Sequence, residues 1–487
     1  MSAAPMHEVI IIGTGFGGLG MAIQLQEAGI KNIIVLEKAA DVGGVWRDNR
    51  YPGAACDVPS HLYSYSFAPN ASWSRKFAQQ PEIHRYLRDC ADQHGLRNII
   101  RFNTEVVAAS FSAEQGLWTL TTATGEQLTS RAVVSAVGQL NRPAIPRIDG
   151  MEQFQGQVMH SAQWNDDVVL EGKRIAVIGT GASAIQFVPK IVPKAKSLVL
   201  VQRSAPYVIP KPDRAYLAAE KLIFEKLPKV QLGSRLWQYL GHERNALAFT
   251  VWDKLMALPA WQFRSYLKAN IKDPVLREKL TPDYPMGCKR ILISNDYYPA
   301  LAQKHVTVTT QGVTRADATG IVTADGVHHD VDVIIYGTGF KATEFLSPMK
   351  ITGLQGQDLH ARWKDGAEAY LGLTVSGFPN FFMMYGPNTN LGHNSIVYML
   401  ESQMNYIRQC VQKLQQDKLQ YLDVKSAPMD EFNQALQARL HKTVWDGGCK
   451  SWYVNEAGKN TANWSGFTLD YRRRTSKPNW SHYTLAK

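Results

Sequence analysis

Glu8–Gly18 reads EVIIIGTGFGG, and Arg174–Ala184 reads RIAVIGTGASA. Each is a short apolar run rich in β-branched residues, the mark of a buried strand, and each ends in a glycine turn that opens an apolar helical pattern. The first glycine of such a turn permits the tight bend. The second lets backbone approach a pyrophosphate, and the third lets the helix pack on its strand with its N-terminal amides toward the phosphates. One such motif is weak evidence for a nucleotide site. Two of them, each set between a strand and a helix, predict an α/β chain with two Rossmann-like dinucleotide-binding domains. Ala184 replaces the third glycine of the second copy, a change the fingerprint tolerates.

The end of the second strand in each unit discriminates between nucleotides. Ile33–Leu36 leads to Glu37, and Leu198–Val201 leads to Gln202 and Arg203; Glu37 and Arg203 each lie 24 residues past the first glycine of their turn. A carboxylate there accepts hydrogen bonds from an adenosine ribose and repels a 2′-phosphate, whereas a guanidinium attracts one. The first site is therefore expected to take FAD or NAD, and the second NADP. Such a pair suggests hydride passing from NADPH to a flavin. A disulfide reductase would need a redox cysteine pair behind the first unit. Here Gly43-Gly44-Val45-Trp46-Arg47 stands there, followed only by an isolated Cys56, which leaves O2 as the electron acceptor.

Further apolar runs, Ala132–Val137 and Val331–Tyr336, close the two folds, and Pro143 and Pro146 mark a linker. The expected division is residues 1–140 for the FAD-binding domain and 141–338 for the NADP-binding domain. A helical insertion of about 211–282 interrupts the second, and 339–487 returns to the first domain and supplies a C-terminal segment. The five cysteines are odd in number and contain no CxxC, which argues against a disulfide framework and suits a reducing compartment. No basic and apolar leader opens the chain, and the apolar stretch from Val9 is broken by glycines and too short to span a bilayer. A cytoplasmic protein with no stable membrane anchor is expected. The formal charge of +11 reads as solvated surface, and no nucleic-acid-binding pattern accompanies it.

Residues 43–57, GGVWRDNRYPGAACD, meet every fixed position of [AG]GxWxxxx[FY]P[GM]xxxD, and Phe154, Gly156, His160 and Trp164 meet FxGxxxHxxxW. The chain thereby resembles the type I Baeyer–Villiger monooxygenases over nearly its whole length. Asn165 departs from the Pro or Asp usual after that tryptophan, and Val454-Asn455-Glu456 depart from the family near its end. The resemblance implies conversion of a ketone to an ester or lactone with O2 through a C4a-peroxyflavin, with FAD bound and NADPH consumed. Tyr284–Arg290 is similar to the segment that carries the family's active-site arginine, which makes Arg290 the catalytic cation and Asp57 the carboxylate beside it. Gly13, Gly15, Phe16, Gly18, Glu37, Val45, Trp46, Ala55, Cys56, Asp57, Tyr63 and Val106 are then the expected flavin contacts. Gly179, Thr180, Gly181, Ala182, Ser183, Ala184, Gln202, Arg203, Lys289 and Trp452 are those for NADP. A permanently charged guanidinium suits this chemistry because it stabilises an anionic peroxide and the tetrahedral adduct that follows. His160 is read as a buried structural histidine between the domains rather than a base.

Two other readings remain at this level. A flavin monooxygenase acting on amines or sulfides would use the same cofactors, but soft-nucleophile oxidation does not require the Asp57 and Arg290 pair. A nucleotide-binding sensor without turnover would have no use for Arg290.

Overall fold

A computed structural model describes residues 6–449, 451–455 and 457–487; Glu456 lies outside them. Met6–Ile12 is the hub of the first sheet, paired in parallel with Ile33–Leu36 on one side and Gln127–Ser135 on the other. Val9, Ile10 and Ile11 are wholly buried there, as a central parallel strand covered on both faces requires. The sheet has eight strands. Its order is Lys350–Thr352, Val106–Ser112, Leu117–Thr122, Gln127–Ser135, Met6–Ile12, Ile33–Leu36, Ile100–Arg101, with Phe381–Met383 also on Gln127–Ser135. Val106–Ser112, Leu117–Thr122 and Gln127–Ser135 form an antiparallel meander, so this sheet is mixed.

The second sheet is parallel throughout, in the order Val306–Thr309, Ser197–Val201, Arg174–Ile178, Val333–Tyr336, Gln157–His160. Four helices, Ala218–Lys226, Pro228–Thr250, Ala257–Asn270 and Pro274–Lys279, form an excursion from it. The excursion leaves after Val208–Ile209 and returns at Leu292–Ile293, two short strands that pair with each other. Its last helix is started by Asp273, whose carboxylate accepts from the Val275 amide at 3.0 Å, with Pro274 at the first helical position.

After the second sheet the chain rejoins the first. Phe381–Met383 adds a parallel strand in register with Val133–Ser135. Helix Ile396–Gln416 then packs on Phe16–Glu27 so closely that a Cβ on Gly20 would lie 2.3 Å from Met404 Cε. Among the described residues no helix is long and apolar enough to cross a membrane.

One expectation is overturned. Cys288 and Cys449 form a disulfide across a separation of 161 residues, and Cys56, Cys90 and Cys410 are buried and free. The odd count concealed the pair because sequence spacing carries no information on partners so far apart.

Candidate active site

Both glycine turns are shaped by protein contacts at their first and third positions and left open at the second. Gly13 and Gly179 sit at φ +101° and +105°, where side chains are strained. A Cβ on Gly18 would lie 1.9 Å from the Gly13 carbonyl oxygen, so the start of the helix rests directly on the turn. In the second unit that third position bears Ala184, and the facing strand end supplies the room instead. Gly337 stands where the first unit has Ala136, 3.1 Å from the Ala184 methyl if it carried a Cβ. Gly15 and Gly181 differ. A methyl on either would meet nothing closer than 3.9 Å and 3.7 Å, respectively. The protein itself does not demand glycine at these two positions; what they keep clear is an approach to the loop and the helix start. That is the shape a nucleotide diphosphate needs, so the residues present fit FAD at the first turn and NADP at the second.

Glu37 is buried at the end of Ile33–Leu36. Its Oε2 accepts from the Thr14 amide and hydroxyl at 3.0 and 2.6 Å, its Oε1 accepts from the Ala39 amide at 2.9 Å, and Arg47 Nη1 lies 3.1 Å away. The carboxylate is thus locked in one orientation beside the turn. Its own backbone carbonyl accepts from the Thr104 amide, two residues before Val106. Across the turn, Phe16, Trp46 and Tyr63 form an aromatic cluster. Phe16 and Tyr63 centroids are 5.1 Å apart, and Trp46 Nε1 donates to the Tyr63 hydroxyl at 3.2 Å.

The loop from Tyr51 to Asp57 carries these contacts over to the second sheet. Gln186, on helix Ala184–Ile191, accepts from the Tyr51 hydroxyl at 3.0 Å and the Ala55 amide at 3.3 Å, and donates to the Ala55 carbonyl at 3.0 Å. The helix that opens at the NADP turn therefore positions the loop that carries Asp57. Arg290 then gives Nη2–H to Asp57 Oδ2 at 2.5 Å, joining residues 233 apart in sequence. About a third of the Arg290 side chain stays accessible, and among the described residues it makes no other side-chain hydrogen bond. Its remaining donors are free for a ligand.

Electrostatics make this pair a fixed dipole. Burial alone would raise the Asp57 carboxyl, but the charge and hydrogen bond of Arg290, with the Lys211 ammonium behind, outweigh it and hold the carboxyl below the usual range. Asp57 in turn raises the Arg290 guanidinium despite burial. Lys211 donates to the Cys56 carbonyl at 3.0 Å, and burial depresses its ammonium even though Asp57 pulls the other way. Two tyrosines sit within electrostatic reach of Arg290. Burial raises the Tyr385 phenol and pushes that of Tyr453 up to about 12, so both remain neutral donors. Lys211, Gln186, Tyr385 and Tyr453 escaped the sequence reading, for none belongs to a fixed-spacing motif.

On the second nucleotide side, Lys289 Nζ donates to Ser204 Oγ at 3.0 Å and lies 4.2 Å over the Tyr284 ring. Burial lowers its ammonium, the Asp283 carboxylate pulls it the other way, and the like charge of Arg203 adds to the lowering. Arg203 is exposed. Two cations within electrostatic reach of each other, neither within salt-bridge distance of a carboxylate among the described residues, favour an anion between them.

Other expected residues go elsewhere. Gln202 is buried and turns inward, donating to the Lys279 carbonyl at 2.6 Å. Trp452 packs on Tyr453, with centroids 4.5 Å apart, and the Tyr453 phenol lies within electrostatic reach of Arg290. His160 accepts from the Ala162 amide at 3.0 Å through Nδ1 and meets the Phe340 ring edge-on, and burial keeps it neutral. Thr180, Ala182 and Ser183 lie in the turn ahead of helix Ala184–Ile191, and Val45 opens the four-residue helix Val45–Asp48.

Residues 6–349 match the family model of the flavin-binding monooxygenase-like proteins. A Baeyer–Villiger monooxygenase of Pseudomonas aeruginosa is 47% identical over 99% of this chain and 92% of its own length. One from Streptomyces coelicolor is 45% identical over 99% and 94%. Among solved structures, a steroid monooxygenase bound to NADP superposes with a TM-score of 0.87 at 30% identity, covering 99% of both chains. A closed cyclohexanone monooxygenase gives 0.89 at 25% identity over the full length of both.

Proposed function

This chain belongs to the flavin-binding monooxygenase-like family, and from that premise we propose how its own residues carry the reaction. It is a Baeyer–Villiger monooxygenase that uses FAD, NADPH and O2 and converts ketones to esters or lactones. FAD, when bound, accepts hydride from NADPH and activates O2 for transfer to a carbonyl carbon.

Arg290 is the electrophilic centre. Attack on a carbonyl moves negative charge from the attacking oxygen to the carbonyl oxygen, and a guanidinium with free N–H donors stabilises it at either place. Asp57 is the positioning carboxylate: it occupies one corner of the fork at 2.5 Å and leaves the other donors aimed at substrate. Lys211, held on the Cys56 carbonyl, steadies Asp57 as an anion. Gln186 fixes the loop that carries Asp57. Gly15 and Gly181 admit the two diphosphates, Glu37 accepts from the FAD ribose, and Arg203 with Lys289 grips the 2′-phosphate of NADPH. We divide the chain at 140 and 338, with 339–487 completing the FAD domain. The demand for NADPH leads us to assign the cytoplasm as its location.

The single observation that carries this reading is the partly buried Asp57–Arg290 pair, on a loop held by the helix that opens at the second glycine turn, which oxidation of a soft nucleophile does not require. Incubation with NADPH and a panel of linear, cyclic and aryl ketones, amines and sulfides, followed by mass spectrometry, tests it. Esters or lactones are expected. Products confined to N-oxides and sulfoxides would favour the heteroatom reading.

A further inference from the structure

Helix Pro228–Thr250 carries most of its large apolar residues on the side turned to solvent. Its buried positions are Gln231, Glu243, Ala246 and Phe249, while its outward side carries Val230, Leu236, Trp237, Leu240 and Leu247. Spacings of three, four and seven residues place these on one stripe, and Trp237 keeps 79% of its surface exposed. The pattern continues on both neighbours, with Leu222 and Leu227 before it and Trp252, Leu258 and Trp261 after it. A face of this size, solvated, is costly, and single scattered hydrophobics do not describe it.

The charges on the same segment say what covers it. Between residues 217 and 272 seven exposed cations stand against two exposed carboxylates, and one of those, Glu225, is already paired with Lys226 at 3.4 Å. Lys229 and Arg244 lie within the apolar stripe by helical spacing, and Lys254, Arg264 and Lys268 border it. A second copy presenting the same face would bring these cations against one another. An anionic surface would not, and tryptophan among leucines with a cationic rim is the composition of a helix lying in a lipid headgroup layer. We propose that this helical excursion docks reversibly on an anionic phospholipid bilayer, with Trp237, Leu236 and Leu240 inserted and Lys229 and Arg244 on the headgroups.

Docking there brings the membrane to the active site. The inner side of the same helix meets residues 393–398, which follow strand Phe381–Met383 of the first sheet. Tyr239 stacks on Tyr398 at 4.7 Å, His242 Nδ1 lies 3.1 Å from the His393 carbonyl, and Phe249 packs on Trp445. Met256, just before helix Ala257–Asn270, packs so close to Gly287, three residues before Arg290, that a Cβ there would lie 3.1 Å from its Cε. An apolar ketone dissolved in the bilayer would reach the protein within one helix diameter of these residues.

Co-sedimentation of the FAD-loaded protein with vesicles tests the proposal. Phosphatidylcholine mixed with phosphatidylglycerol should retain it, phosphatidylcholine alone should retain far less, and added salt should release it. Each surface cation contributes about fivefold to partitioning, so Lys229→Gln with Arg244→Gln should weaken binding roughly 25-fold. Trp237→Ser with Leu240→Ser should abolish retention while leaving FAD content and NADPH oxidation in solution unchanged. Equal retention of parent and Ser variant, or none by anionic vesicles, overturns the proposal. So does a concentration-dependent dimer in lipid-free buffer that the Ser variant converts to monomer, because it gives the face to a second copy.

Discussion

Removing one of the two cations at the second nucleotide site should change which nucleotide the enzyme prefers. Lys289 is held by Ser204 Oγ at 3.0 Å and by the Tyr284 ring at 4.2 Å, and burial and the charge of Arg203 lower its ammonium against the pull of Asp283. The two cations therefore repel each other until an anion lies between them, and binding of a 2′-phosphate relieves that repulsion. A charge-assisted hydrogen bond contributes ~1.5–3 kcal/mol. Arg203→Ala should raise KM for NADPH roughly ten- to hundredfold and leave KM for NADH nearly unchanged, since NADH has no group to lose. Lys289→Met should act in the same direction. The double variant should lose less than the sum, because each single change also removes a repulsion on the other. Steady-state NADPH and NADH oxidation in the four proteins of the cycle supplies the numbers. Equal losses for the two nucleotides, or strict additivity, would refute the shared-anion account.

Other outcomes follow from the same structure. Gly15→Ala should fold with nearly parental stability, since its methyl meets no atom within 3.9 Å, yet bind FAD poorly; Gly18→Ala, with a methyl 1.9 Å from the Gly13 carbonyl oxygen, should lose ~3 kcal/mol or more in denaturant titrations. Cys288 directly precedes Lys289 and is tied to Cys449, so a dithiol reductant should lower Tm and raise KM for NADPH in the parent but not in Cys288→Ser/Cys449→Ser. The chain-entropy contribution of so long a loop is roughly 5 kcal/mol. Burial pushes the Asp423 carboxyl up to about 7, against the two contacts it accepts from the Gly377 amide. A carboxyl raised in the folded state stabilises the fold below its unfolded value and loses that contribution as pH rises through about 7. Asp423→Asn should therefore flatten the fall in Tm between pH 5 and pH 8, and an unchanged slope would remove Asp423 as its cause.

Both dinucleotide folds were legible in the sequence because their determinants are local. β-branched runs, glycines at fixed offsets and an acid or base at the strand end all fall within a few dozen residues. Asp57 and Arg290 were legible only through resemblance, since 233 residues separate them and no periodicity joins them. What escaped depends on tertiary approach alone. Gln186 looks like any polar helix residue until the loop from Tyr51 to Ala55 folds onto it. Lys211 is one among many lysines until the end of its strand reaches the Cys56 carbonyl. Cys288 and Cys449 pair over 161 residues. Gln202 shows the opposite failure. It sits at the right offset, but just past the strand end its side chain turns inward to the Lys279 carbonyl while Arg203 faces solvent.

The central claim is that the Arg290 cation, oriented by Asp57, makes oxygen transfer to a carbonyl possible. It is tested most directly by the ester formed per NADPH oxidised in Arg290→Ala beside the parent, with hydrogen peroxide measured in the same samples. Flavin binding and hydride acceptance rest on other residues, so the variant should hold FAD and oxidise NADPH. A neutral side chain cannot stabilise the charge on the attacking and carbonyl oxygens, so ester should be absent and peroxide should account for the NADPH consumed. Arg290→Lys should recover little, because a point-like ammonium cannot hold Asp57 and substrate at once. Ester per NADPH at the parental value in Arg290→Ala would contradict the account and leave Arg290 a structural partner of Asp57.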